Sequence, residues 1–155
     1  MLRLNDCNPL LSARQMRLEE IRPGRCVSFA VKIGDADVAA FAELTGDRSP
    51  IHMSDDAARE FGFASRIVHG MLIASYSSVV VGMLLPGRNG VLISCNADFL
   101  EPVTLDAELT LSARVRQTSR AARLVKISIS VHQDGLVVMK GLITAGVRPS
   151  GHAGN

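Results

Sequence analysis

GMLIASYSSVVVGML, residues 70–84, is the stretch whose reading decides the fold. It has the length of a helix and is apolar nearly all the way round. A helix with no polar face is buried on most sides. Pro86-Gly87 ends it. Ser75, Ser77 and Ser78 interrupt it, and it falls short of the ~20 residues that a membrane-spanning helix needs.

Downstream the pattern turns to strands. VLISCNADFL (91–100) reads as one. ELTLSARVRQ (108–117) places Leu109, Leu111, Ala113 and Val115 on one face and Thr110, Ser112, Arg114 and Arg116 on the other. In residues 122–135, Val125, Ile127, Ile129 and Val131 share a face, and Asp134-Gly135 is a hairpin turn. LVVMKGLITAGV (136–147) returns as the partner. One buried helix early and a run of antiparallel strands late predict an α+β fold, with a curved sheet wrapped around the helix.

Upstream, residues 25–33 alternate as a strand. DADVAAFAELTG (35–46) reads as a helix capped by Asp35 or Asp37, with Val38, Phe41, Ala42 and Leu44 as its apolar face and Gly46 as its stop. A loop, DRSPIH (47–52), follows. Ser54-Asp55-Asp56 can start a short helix that runs to about Phe61, with Gly62 after it. The expected organisation is an N-terminal extension (1–22), one domain (23–148) and a polar tail (149–155).

At 155 residues and 47% hydrophobic composition, one domain can bury a substantial core. Seventeen Lys+Arg against fifteen Asp+Glu give +2, too balanced to point to nucleic acid. Aromatic residues are few (no Trp, one Tyr, five Phe), which argues against a base-stacking surface. The three cysteines, Cys7, Cys26 and Cys95, form no C-x-x-C pair, so reduced thiols are expected. The first twenty residues mix charges and lack an apolar run, unlike a secretory signal. Together these features predict a cytoplasmic location.

The chemistry concentrates just ahead of the greasy segment. Asp47 and His52 flank Pro50, which makes one continuous helix through both unfavourable. On a loop leaving a helix, both side chains can turn toward one point. An Asp carboxylate accepts hydrogen bonds, and a neutral His offers one acceptor and one donor. Two acceptors on one water can orient it and take its proton, and the ~6.5 reference pKa of His suits that work. The bland alternatives are a turn Asp bonded to its own backbone and a packed His. Spacing alone leaves both readings open.

His69-Gly70 opens the apolar helix. The first N–H groups of a helix have no internal partner, and Gly70 lets a ligand approach without a Cβ in the way. Gly70 could equally serve close packing, with His69 as a cap. No metal is expected: there is no i, i+4 His pair and no H-E-x-x-H. No G-x-S-x-G elbow supports a serine hydrolase.

The stretch FAELTGDRSPIHMSDDAAREFGFASRIVHGM (41–71) resembles the signature of the MaoC-like (R)-specific enoyl-CoA hydratases. Asp47, Pro50, His52, Asp55, Ile67, His69, Gly70 and Met71 match that pattern, and FLEPV (Phe99, Pro102, Val103) resembles the family's Phe-x-x-Pro-Val strand. The likeness spans residues 25–147. It implies a hot-dog fold, usually dimeric. It implies that Asp47 and His52 activate a water for addition to Cβ of a trans-2-enoyl thioester and return a proton to Cα. It gives the Gly70 N–H the thioester oxygen as enolate charge develops. Ser49, His69 and, by position in the helix, Ser78 are the further substrate-side residues that it implies.

One residue departs from the pattern: Ser49 stands where the family has Asn, and a hydroxyl offers fewer hydrogen bonds than an amide. The expected activity is hydration of enoyl thioesters or the reverse dehydration. No cofactor is expected beyond the coenzyme A or acyl carrier protein that is part of the substrate, and the expected assembly is a homodimer without nucleic acid or membrane. Two alternatives are an acyl thioesterase and a non-catalytic acyl-thioester-binding subunit. Arg48, Arg66, Arg88 and Arg123 could meet phosphates, or be solvated surface charge.

Overall fold

The computed structural model describes residues 12–149 and the backbone of Leu2–Arg3. Most of the expected tail lies outside the described residues, as does Cys7. The strands are β1 (Leu2–Arg3), β2 (Cys26–Lys32), β3 (Gly90–Phe99), β4 (Glu108–Ser119), β5 (Leu124–Gln133) and β6 (Leu136–Val147). They form one sheet in the order β1-β2-β4-β5-β6-β3. Every pairing is antiparallel except β1 with β2.

The alternation read in the sequence is the alternation observed. Leu109, Leu111, Ala113 and Val115 on β4 are buried, as are Val125, Ile127, Ile129 and Val131 on β5. Asp134 and Gly135 take φ of 49° and 84°, the left-handed pair that a tight hairpin needs. The buried faces hold the helical segment against the sheet, which is the hot-dog arrangement.

That segment is helical from Gly70 to Leu84 but not one uniform helix. It divides into α4 (Gly70–Ser75), α5 (Ser77–Val79) and a π turn, Val80–Leu84. In the π turn the Leu85 N–H reaches Val80 O at 2.7 Å. Such a bulge inserts a residue and rotates the face beyond it. Ile73, Ala74, Ser77, Val80, Val81 and Leu84 are buried, whereas Met71, Ser75 and Ser78 are exposed. One side of a segment expected to be enclosed is therefore open within a single chain.

Two local readings are corrected. Residues 47–52 are not all loop, because Pro50–Met53 forms a helical turn, α2, that carries His52. Pro at the first helical position has the right φ and no N–H to leave unsatisfied. Leu44, expected on the apolar face of α1 (Asp35–Thr45), is 84% exposed. It lies two residues past buried Ala42, about 200° round the helix.

Residues 12–22 pack onto the domain where they are described. Met16, Leu18 and Ile21 belong to the core, and the Arg14 N–H reaches Met83 O at 2.9 Å.

Candidate active site

Helix α1 delivers Asp47. The Asp37 carboxylate accepts from the Gly34 N–H at 2.9 Å and caps its start. At its end Gly46 adopts φ 79°, a left-handed stop that turns the chain out of the helix. The Asp47 N–H then donates to Thr45 Oγ1, and Asp47 Oδ1 accepts from the Ser49 N–H, both at 3.2 Å. This Asx turn leaves the second carboxylate oxygen free to face the histidines. Residue 49 serves it through its backbone N–H, which Ser and Asn supply alike.

The segment after α3 (Asp55–Glu60) is clamped from two sides. The Ile67 N–H bonds Ile51 O at 3.1 Å, and the Val68 N–H bonds Val103 O at 2.7 Å. Arg66 anchors its approach: its N–H donates to Asp55 Oδ1 at 2.9 Å, and its guanidinium meets Asp35 at 2.7 Å and Asp55 at 3.5 Å. The backbone bond from Arg66 is the main reason that the Asp55 carboxyl sits below its ordinary pKa of 3.8, with the Arg66 and Arg59 charges adding to it.

The clamp presents the Ile67 carbonyl to His52, whose Nδ1 lies 2.7 Å from it. A carbonyl only accepts, so Nδ1 carries a proton, and in the neutral ring the lone pair is on Nε2. His69 repeats the logic on the other nitrogen: its Nε2–H donates to the Asp47 backbone carbonyl at 3.0 Å. The His69 ring is 2% exposed and packs against Phe41, with centroids 5.0 Å apart. Its Nδ1 is buried without a hydrogen-bond partner.

Ligand atoms of Asp47, His52 and His69 lie within 4.8 Å of one another. His69 Nε2 is 4.0 Å from Asp47 Oδ2. His52 is nearly buried, while the Asp47 side chain is half exposed. The same three groups would make a reasonable divalent-metal donor set, although each ring already gives one nitrogen to a carbonyl.

His52 and Gly70 both line a cavity of about 410 Å³ whose other walls include Phe63, Ile73 and Phe99. A Cβ built on Gly70 would lie 3.1 Å from the Phe99 ring, so the glycine lets that ring pack close against the start of α4. Ser78 is not part of this cavity. It lines a neighbouring groove.

Of the four arginines that could meet phosphates, Arg48, Arg66 and Arg123 have protein partners. Arg48 pairs with Glu43, Arg66 with Asp35 and Asp55, and Arg123 Nε–H donates to Val147 O. Sequence reasoning missed the Ile67 carbonyl and Phe41. The first is a backbone group and leaves no trace in residue identity. The second reads simply as part of a helix face.

A curved antiparallel sheet around a helix, with an Asp and a His beside the start of that helix, defines a hot-dog protein built for acid–base chemistry. Comparison with known proteins makes this specific: residues 19–134 match the MaoC-like domain model, and the chain belongs to that family. It is 32% identical to a 3-hydroxybutyryl-CoA dehydratase of Methylorubrum extorquens, over 83% of this chain and 82% of that one. It is also 32% identical to an (R)-specific enoyl-CoA hydratase of Rhodospirillum rubrum, over 86% and 92%. Among solved structures, the (R)-hydratase from A. caviae involved in PHA biosynthesis superposes with a TM-score of 0.80. The identity there is 27%, and the match covers 83% of this chain and 98% of that one.

Proposed function

We propose that this protein adds water to trans-2-enoyl thioesters to give (R)-3-hydroxyacyl thioesters, and catalyses the reverse dehydration. The observation that carries the mechanism is the 2.7 Å contact between His52 Nδ1 and Ile67 O, which leaves Nε2 as a base beside Asp47. A water held between Asp47 and His52 Nε2 attacks Cβ. As the C–O bond forms, His52 takes the water proton and the π electrons move to the thioester oxygen. The Gly70 N–H receives that enolate charge. The pair then delivers a proton to Cα, so the addition balances with no redox step.

The (R) configuration follows the (R)-specific enoyl-CoA hydratase relative, and the two directions follow the hydratase and dehydratase relatives together. The reaction as proposed uses no metal and no cofactor other than the coenzyme A or carrier-protein arm of the substrate. Ser49 and His69 hold the Asp47 turn, which makes them positioning residues in this reading rather than substrate contacts.

We further propose that the protein works as a homodimer. β3 is an edge strand exposed along its length and carries Val91, Leu92 and Ile93 at 42–57% exposure. A second β3 paired across a two-fold axis would cover it. Among the described residues no helix is long and apolar enough to cross a membrane. Free Cys26 and Cys95 suit the reducing cytoplasm that we propose for it.

The test is loss of the conjugated enoyl absorbance on crotonyl-CoA and longer enoyl-CoA thioesters, with chiral analysis of the product. Formation of the (R)-3-hydroxyacyl thioester is expected. Release of free thiol would identify a thioesterase, and binding without turnover a non-catalytic subunit.

A further inference from the structure

A second groove, of about 530 Å³, runs along the open side of α4 and α5 against β3. Ser77 lines it and is 2% exposed, yet its hydroxyl has no hydrogen-bond partner. Ser75, two residues earlier, behaves as helical serines usually do and donates to Leu72 O at 2.7 Å. A buried hydroxyl left unmatched is unfavourable, and native proteins rarely keep one without a reason.

The groove adjoins the candidate active site. Phe41, which packs against His69, forms part of its wall, and Phe99 is a wall of both this groove and the His52 cavity. No lining residue is charged.

We propose that this groove receives the distal part of the acyl chain, and that Ser77 Oγ hydrogen-bonds an oxygen carried by that chain. The substrate class is then enoyl thioesters with a hydroxyl or oxo group beyond the reacting double bond. This rests on the hydratase reading and narrows it. A plain alkyl chain would seal the Ser77 hydroxyl away unmatched, and a site with a buried polar group discriminates against a ligand that cannot pair with it. A carboxylate would enter a groove with no cation to meet it.

The test compares wild type with Ser77→Ala and Ser77→Thr on two enoyl chains of equal length, one plain and one with a distal hydroxyl. Each chain is presented on coenzyme A and on the short thiol N-acetylcysteamine. Wild type should favour the hydroxylated chain on both thiols. In Ser77→Ala the ratio of kcat/KM, hydroxylated over plain, should fall about three- to tenfold, the worth of one neutral hydrogen bond. Ser77→Thr, which keeps the hydroxyl, should retain the preference.

An equal loss on both chains with coenzyme A, absent with the short thiol, would mean that the groove holds the thiol arm and would overturn the proposal. So would a changed dimer dissociation constant with unchanged discrimination, which would give the groove to a second copy. An unchanged ratio with an unchanged dimer overturns it as well. Failure of wild type to hydrate any enoyl thioester is a different result: it removes the hydratase reading, and this inference with it.

Discussion

The imidazoles of His52 and His69 stack with centroids 3.9 Å apart and 31° between their planes. His69 meets the His52 ring while its Nε2–H stays on the Asp47 carbonyl at 3.0 Å. His69 fixes the Asp47 turn from below and the His52 ring from the side.

Replacing His69 with Leu should lower kcat by at least tenfold while KM changes less, because the base and the carboxylate lose their register and the binding cavity keeps its walls. The Asp47 carbonyl loses its donor, at a cost of ~1–3 kcal/mol if it stays dry. His69→Gln, which can still donate, should recover part of both losses. Steady-state kinetics and thermal melts on the two variants check this, and a change confined to Tm would reduce His69 to a structural residue.

Asp47→Asn and His52→Gln should each reduce turnover by about 10²–10⁴-fold, the range typical of general acid–base groups. Groups acting on one water form a unit, so the double variant should be little worse than the poorer single one. Multiplicative losses in the double variant would separate the two roles.

Asp55 supplies a pH dependence of stability. Its folded pKa lies below the ordinary 3.8, so the unfolded chain binds the proton more readily. Its contribution is present above that ordinary value and is lost as pH falls through the lowered folded one. Asp55→Asn should start less stable near neutrality and lose less on acidification through this window. Parallel acid-melting curves for wild type and variant would contradict the assignment.

Val80 has no solvent exposure and belongs to the hydrophobic core. An aspartate there is an unpaired buried charge, against a total stability of about 5–15 kcal/mol for a domain. Val80→Asp should prevent soluble folding. A soluble variant with wild-type Tm would show that the helical segment is not the core element.

Light scattering at micromolar concentration should return twice the 16.6 kDa chain mass. Ile93→Lys, on the exposed edge strand, should shift it toward one chain, since an edge lysine opposes strand pairing. A single-chain mass for wild type would remove the proposed dimer.

The strands are legible in the sequence because one face of each is buried, so β4 and β5 carry strict two-residue periods that a reader can count. The Asp47, His52 and Gly70 cluster is legible for a different reason: side-chain chemistry at fixed spacing around Pro50. The helical segment reads correctly in extent but not in its interior. The shift to a π turn at Val80 depends on which carbonyl each N–H selects, and side-chain identity does not encode that choice. Met16, Leu18 and Ile21 are spaced too irregularly to announce a core contribution. The unmatched hydroxyl of Ser77 needs coordinates, because Ser75 and Ser78 look identical to it on the page.

The two borders of the sheet are unequal. One ends in β1, a two-residue parallel strand laid across Phe29 and Ala30 of β2, and the other in the ten-residue β3. Among the described residues, β3 is therefore the longer edge open to strand addition. Once two such edges meet, the propagating end is consumed and no third chain can join by the same bond. In the proposed dimer, assembly is then a chain-terminated coupling that closes on a particle with two reaction centres.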